Sequence, residues 1–126
     1  MKLTIENYKC LSWNEFNRNM HWSIRTAVRE ELKSLVYAEM CKHRGVKIDK
    51  TVDVDITAYF KDWRRRDLDN LFIKPILDGI VDSGLIRDDN GDVIDSLTLR
   101  AKVRQPQNKI IIKINENEKK DKKSNN

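Results

Sequence analysis

Apolar and polar residues alternate most regularly between Val52 and Phe60. Val52, Val54, Ile56, Ala58 and Phe60 fall on one face there, and Asp53, Asp55, Thr57 and Tyr59 on the other. A period of two predicts a β-strand with one face on a core and the other at least partly wet. Leu3 and Ile5 alternate over a shorter stretch and predict a first strand. Between these two, Val28, Leu32, Leu35 and Val36 recur at helical spacing, with Arg25, Arg29, Lys33 and Lys42 opposite them. Ser12 and Glu15 have the spacing of a capping box at the start of that helical region, which runs to about His43. Gly45 is placed to end it in a left-handed cap. The stretch from Asn17 to Trp22 is less regular and reads as a loop or broken turn. Its Asn17, Arg18, Asn19, His21 and Trp22 are candidates for touching a nucleic-acid backbone, with packing the favoured reading for His21 and Trp22.

Ile73, Ile76, Leu77, Ile80 and Val81 predict a second helix that ends near Ser83-Gly84. Proline is readily accepted only in a first helical turn, where its missing N–H is not needed. Pro75 therefore puts the helix start between Asn70 and Lys74 and leaves Asp67 and Asp69 pre-helical. Asn90-Gly91 signals a tight turn. Alternation of Leu97, Leu99, Ala101 and Val103, and then of Ile110, Ile112 and Ile114, predicts strands over 93–103 and 109–114. Gln105-Pro106-Gln107-Asn108 would join them into a hairpin. The order β-α-β-α-β-β predicts a small α/β (α+β) domain over 1–114, with a four-stranded mixed sheet and two helices on one face. Residues 115–126 are chiefly Asn, Lys and Glu without apolar side chains, and predict a disordered polar tail.

Composition narrows the class. The chain has 126 residues, 36% of them charged, and a formal charge of +5. That length buries a core without disulfides. The tail holds four lysines and three acids, leaving +4 of the excess on the folded body. A positive excess favours an anionic partner such as nucleic acid. Cys10 and Cys41 form no CxxC pair, which argues against a zinc knuckle and suits two reduced thiols in a cytoplasmic protein. The N-terminal residues lack the apolar core of a signal peptide, and no apolar run approaches the roughly 20 residues that cross a bilayer. No membrane partner is expected.

The candidate chemistry is concentrated between Trp63 and Asp95. The main strand points into Trp63, Arg64, Arg65 and Arg66, followed at once by Asp67, Leu68, Asp69 and Asn70. A second acidic cluster at Asp88, Asp89 and Asp92 comes after the helix. Taken singly, Asp67 or Asp69 could cap that helix, and the later aspartates could be solvated turn residues. Taken together, like charges crowded at one place are costly unless a cation joins them. All-oxygen ligands suit Mg²⁺ or Mn²⁺ rather than zinc. Asp88-Asp89-Asn90-Gly91 lacks the spacing of a calcium loop, and Asp67-Leu68-Asp69 has no glycine after it. The Asp-x-Asp pair of haloacid-dehalogenase phosphatases follows an apolar strand directly, whereas three arginines precede it here. A Walker loop is absent.

Arg65-Arg66-Asp67-Leu68-Asp69-Asn70-Leu71, then Lys74, Leu77-Asp78, Gly84, Asp88-Asp89 and Val93, resembles the RusA family of Holliday junction resolvases. The chain length and element order agree with that resemblance. It implies a homodimeric, Mg²⁺-dependent endonuclease that resolves four-way DNA junctions by paired cleavage in recombination and repair. It also implies that Asp67, Asp69 and Asp89 are catalytic acids and metal ligands, with Lys74 as the catalytic lysine. Mn²⁺ is expected to substitute for Mg²⁺. Leu71, Phe72 and Ile73 put one residue more between Asn70 and Lys74 than the family spacing. The turn after Asp89 is also a residue longer, which keeps Asp88 a competitor for the third acid. Arg64, Arg65 and Arg66 are expected to bind phosphates, and Trp63 to stack on an unpaired base or else to pack at the strand end. Two other readings remain open. One is a non-catalytic, structure-specific nucleic-acid-binding module, in which the acids are caps and turns. The other is a phosphatase for small molecules.

Overall fold

The strand with the cleanest alternation, β2 (Thr51–Tyr59), is the strand around which the sheet is built. In a computed structural model that describes residues 1–18 and 21–117, it is flanked on one side by β4 (Lys109–Asn117), antiparallel, and on the other by β3 (Ile94–Lys102), parallel. β1 (Lys2–Glu6) closes the far edge against β4, giving a four-stranded mixed sheet in the order β1-β4-β2-β3. The register sets Val54 beside Ile114 and Leu97, Ile56 beside Ile112 and Leu99, and Ala58 beside Ile110 and Ala101. Because neighbours in register share a face, this row forms one apolar surface. The long helix α2 (Trp22–Met40) and the shorter α3 (Lys74–Asp82) add Leu32, Val36, Met40, Ile76 and Ile80 to the core on it. The architecture is the single small α+β domain with two main helices that the alternation predicts.

The helices meet closely. A Cβ added at Gly79 would lie 3.0 Å from both the Lys33 carbonyl oxygen and Val36 Cβ, so this position of α3 admits only glycine without a shift of α2. Lys33 Nζ reaches Asp82 at 2.7 Å on the same interface. Pro75 stands in the first turn of α3, as its missing N–H requires. Gly45 has φ +80°, the left-handed conformation expected after the 3₁₀ turn Cys41–His43 that ends α2.

Several expectations need correction. The helical region after Ser12 is two helices, since α1 (Trp13–Asn17) ends before α2 begins at Trp22. Asn19 and Met20, between them, lie outside the described residues. Leu35, expected on the core face, is 38% exposed, and Met40 takes its place. Nor is Trp22 a packing residue, at 66% exposure. His21 caps α2 by accepting the Ser23 N–H at Nδ1, 3.2 Å away.

β3 and β4 do not form a hairpin; they lie on opposite sides of β2. Ile110, Ile112 and Ile114 are at most 1% exposed, so β4 takes the central position, covered by a strand on each side. Leu97 is 42% exposed, so β3 can occupy the edge at little cost. The connection 103–108 crosses the end of β2: the Gln105 N–H donates to the Phe60 carbonyl at 2.9 Å, and Asn108 Oδ1 accepts from the Lys61 N–H at 2.9 Å. The expected polar tail also starts later than residue 115, because β4 runs on to Asn117. Asn117 is 6% exposed; its Nδ2 donates to Asp53 and Asp95 at 2.9 Å, and its carbonyl accepts from Thr51 Oγ1 at 2.9 Å. A polar residue ends this strand because β2 and β3 each present a carboxylate to it there. Residues 118–126 lie outside the described residues. No helix among the described residues is long and apolar enough to cross a membrane.

Candidate active site

Where β2 ends, Asp62 fixes the backbone. Its carboxylate accepts from both Nη atoms of Arg66, from the Arg64 N–H at 3.1 Å and from Lys9 Nζ at 3.1 Å. Its own carbonyl accepts the Arg104 N–H at 2.7 Å. The Arg66 guanidinium, foremost among these partners, holds the Asp62 carboxyl well below the usual carboxylate range. Arg66 also donates to the Arg64 carbonyl at 2.9 Å, and its Cζ lies 3.7 Å from the Phe60 ring centroid. The bidentate partner and the aromatic platform leave this side chain only 13% exposed. Arg66, expected with the phosphate-binding arginines, is therefore chiefly a brace for the turn. Arg64 and Arg65 project from the braced turn, exposed. Trp63 is 73% exposed, so a packing role at the strand end is excluded and its ring is open to solvent.

The aspartates follow on a second fixed piece of backbone. Asp67 is extended, and Leu68–Asn70 form one 3₁₀ turn that packs against β3. This segment is stitched to α1. The Phe72 N–H donates to the Leu11 carbonyl at 2.8 Å, Ser12 and Leu71 form a β-bridge, and the Asn14 N–H donates to Asn70 Oδ1 at 3.3 Å. Phe72 stacks on Phe16 with centroids 4.1 Å apart, and Trp13 meets Phe72 edge-on at 4.6 Å. α1 itself is held by the expected capping box: Ser12 Oγ accepts the Glu15 N–H at 3.0 Å, and Glu15 Oε1 accepts the Ser12 N–H at 3.1 Å. Sequence reasoning assigned that box to the long helix and missed its purpose. Trp13 and Phe16, three residues apart after a cap, were the available signal. Cys10 lies beneath the segment, its thiol pushed up to about 12 by burial, so it is no nucleophile.

Against this fixed backbone the two carboxylates are free. The capping alternative fails: the residue capping α3 is Ile73, without a side-chain bond, and Asp67 makes no cap bond to the 3₁₀ turn. Among the described residues, neither Asp67 nor Asp69 accepts a hydrogen bond or ion pair through its side chain. Both are exposed.

The second cluster returns to the same end of α3. Lys74, at the start of that helix, forms a short ion pair with Asp89 and a 3.1 Å pair with Asp78. Asp89 above all, and Asp78 after it, raise the Lys74 pKa; Lys74 in turn lowers that of Asp89. Lys74 is thus a cation throughout the neutral range, suited to charge stabilisation and not to proton abstraction. Asp88 does something else. Its Oδ1 accepts the Asp89 N–H at 2.7 Å and its Oδ2 the Asn90 amide at 3.1 Å, so it shapes the turn. Of the two competitors, Asp89 faces the helix start. Leu71–Ile73, between the aspartate turn and Lys74, is buried and not helical.

Asp89 reaches the start of α3 through Lys74, and Asp67 and Asp69 precede that helix in the chain, but the expected acids do not form a finished metal cage. No group of three or more His, Cys, Asp or Glu among the described residues is set to hold a metal ion. Asp67 and Asp69 offer the hard, unengaged oxygens that Mg²⁺ prefers. Asp89 is taken by Lys74. Beside Asp67 lies a polar cavity of about 200 Å³ between α1 and the arginine turn, lined among others by Asn14, Arg18, Arg64, Arg65 and Asn70. No protein-family model matches this chain, and no curated protein matches it.

Proposed function

We propose that this protein is a Mg²⁺-dependent, structure-specific endodeoxyribonuclease that resolves four-way DNA junctions by phosphodiester cleavage, acting as a homodimer. The observation that carries the proposal is the Lys74–Asp89 contact. It draws the second acidic cluster to the start of α3, directly after the turn that carries the unengaged Asp67 and Asp69. An arrangement of free carboxylates, a fixed cation and two exposed arginines suits a phosphodiester and its developing charge.

Each side chain has a defined task in this reading. Arg64 and Arg65 hold phosphates of the strand, which makes affinity steeply dependent on salt. Lys74, kept protonated and aimed by Asp89, offsets charge on the phosphoryl oxygens. Asp67 and Asp69 would hold Mg²⁺, with Asp89 a third donor through the oxygen not paired with Lys74; when bound, the metal would activate water and stabilise the leaving oxygen. Trp63 offers a stacking surface for an unpaired base. Recognition in this reading is by DNA shape, since among the described residues no helix resembles a sequence-reading one. The capture of Asp89 by Lys74 also favours a second reading, a non-catalytic junction-binding module. The test is a synthetic four-way junction incubated with the protein in Mg²⁺ and in EDTA. Nicking in Mg²⁺ alone supports the nuclease; tight binding without nicking in either supports the module.

A further inference from the structure

From the cavity beside Asp67 we infer a second phosphate subsite, one that receives a backbone phosphodiester flanking the one that is cut. The inference rests on the nuclease reading above. Four arginines line this cavity; Arg66 is engaged by Asp62, which leaves Arg18, Arg64 and Arg65. Among the described residues none of them is ion-paired, in contrast to Arg66. Two carboxylates also line it, but Glu15 is held by its capping box and Asp67 belongs to the acidic turn. The volume of about 200 Å³ is below the roughly 300–1,000 Å³ of pockets that enclose drug-sized ligands, and suits one phosphate group with part of its sugar.

The cavity is also built on rigid parts. Its α1 wall is tied to the aspartate turn by the Asn14–Asn70 hydrogen bond and by the Phe16–Phe72 stack. Its opposite wall is the turn braced by Asp62 and Arg66. A phosphate seated there touches the residues that neighbour Asp67, so the strand would be fixed on one side of the reacting group. Arg18 is the distinctive member: it caps the C-terminus of α1, far from the arginine run in sequence, and only the fold brings it there.

Counting the ions released on binding tests this directly. In EDTA, log Kobs for a four-way junction is measured against log salt for wild type, Arg18→Gln, Arg18→Lys and, as an equal loss of charge elsewhere, Arg29→Gln. The subsite predicts that Arg18→Gln weakens binding and makes the slope shallower by about 0.9, the value of one phosphate contact. Arg18→Lys should restore the slope and Arg29→Gln should leave it unchanged. Equal slopes for Arg18→Gln and Arg29→Gln would overturn the subsite, even if the wild type nicks junctions in Mg²⁺. Conversely, the predicted slope change in a protein that never nicks would keep the subsite and sink the nuclease. A wild type that does not bind the junction sinks both.

Discussion

The two acidic clusters are used in opposite ways. At Asp67 and Asp69 the backbone is fixed by α1, β3 and an aromatic stack, while the carboxylates have no protein partner among the described residues. At Asp88 and Asp89 the carboxylates themselves do the structural work, one closing a turn and the other pairing with Lys74. A carboxylate that stabilises the fold is satisfied by the fold. One whose backbone is held in place while its carboxylate has no protein partner and faces solvent is available to an external ligand. The first cluster therefore has the stronger claim to chemistry, and the second has a claim through Asp89 alone.

Neutralising substitutions should separate the clusters most sharply. Asp67→Asn and Asp69→Asn are expected to lower junction cutting by more than the roughly 10–100-fold that loss of an outer-shell partner costs. Their unfolding free energies should stay within about 0.5 kcal/mol of wild type, because no protein contact is lost. Asp89→Asn should also stop cutting, but with up to about 1 kcal/mol of stability lost with its Lys74 pair. Urea melts beside a cutting assay read both quantities. A large loss of stability for Asp69→Asn would erase the contrast.

Lys74→Gln comes next. It removes the cation and releases Asp89, so cutting should fall about 100-fold, with junction affinity nearly unchanged. Phe16→Ala acts on the scaffold and not the chemistry. It strips the ring stacked on Phe72 and should cost about 3 kcal/mol in a denaturant melt, unpinning α1 from the aspartate turn. If that variant melts as wild type does, the aromatic stack is not what fixes the first cluster.

The smallest effect concerns Asp62. Its folded pKa is depressed, so the unfolded chain binds the proton first as pH falls. The stabilisation is complete above the ordinary value of 3.8 and is lost as pH falls below it toward the folded value. Asp62→Asn should therefore lower stability by about 1 kcal/mol at neutral pH, and that deficit should shrink in acid, as paired melts at pH 7 and below 3.8 would show. A deficit that is constant down to the most acid melt would mean that the brace is not ionic.

How much of this was legible in the sequence follows from the range of each signal. Period-two alternation gave β2, and Pro75 correctly placed the aspartates before α3, because both are local rules. The neighbours of a strand are not a local property. Leu97 to Val103 and Ile110 to Ile114 look alike as alternating strands, and only the deeper burial of the isoleucines sends β4 to the middle and β3 to the edge. In the same way three adjacent arginines look equivalent in the chain. Asp62 and the Phe60 ring single out Arg66, one through a spacing of four residues and the other by lying beneath the turn. Asp89 was distinguishable from Asp88 only by which of them reaches Lys74. Arg18 could be read as a candidate nucleic-acid contact, but its place beside the arginine turn could not, and Asn14 gave no signal, since nothing before folding connects this part of the chain with that turn.

The most direct test places wild type and Asp69→Asn side by side on a synthetic four-way junction, with binding and strand cleavage followed in Mg²⁺ and in EDTA. The account predicts nicking by wild type in Mg²⁺ only, and an Asp69→Asn protein that binds the junction as tightly but leaves it intact. Equal cutting by the two proteins, or tight binding by wild type without cutting in Mg²⁺, would contradict it.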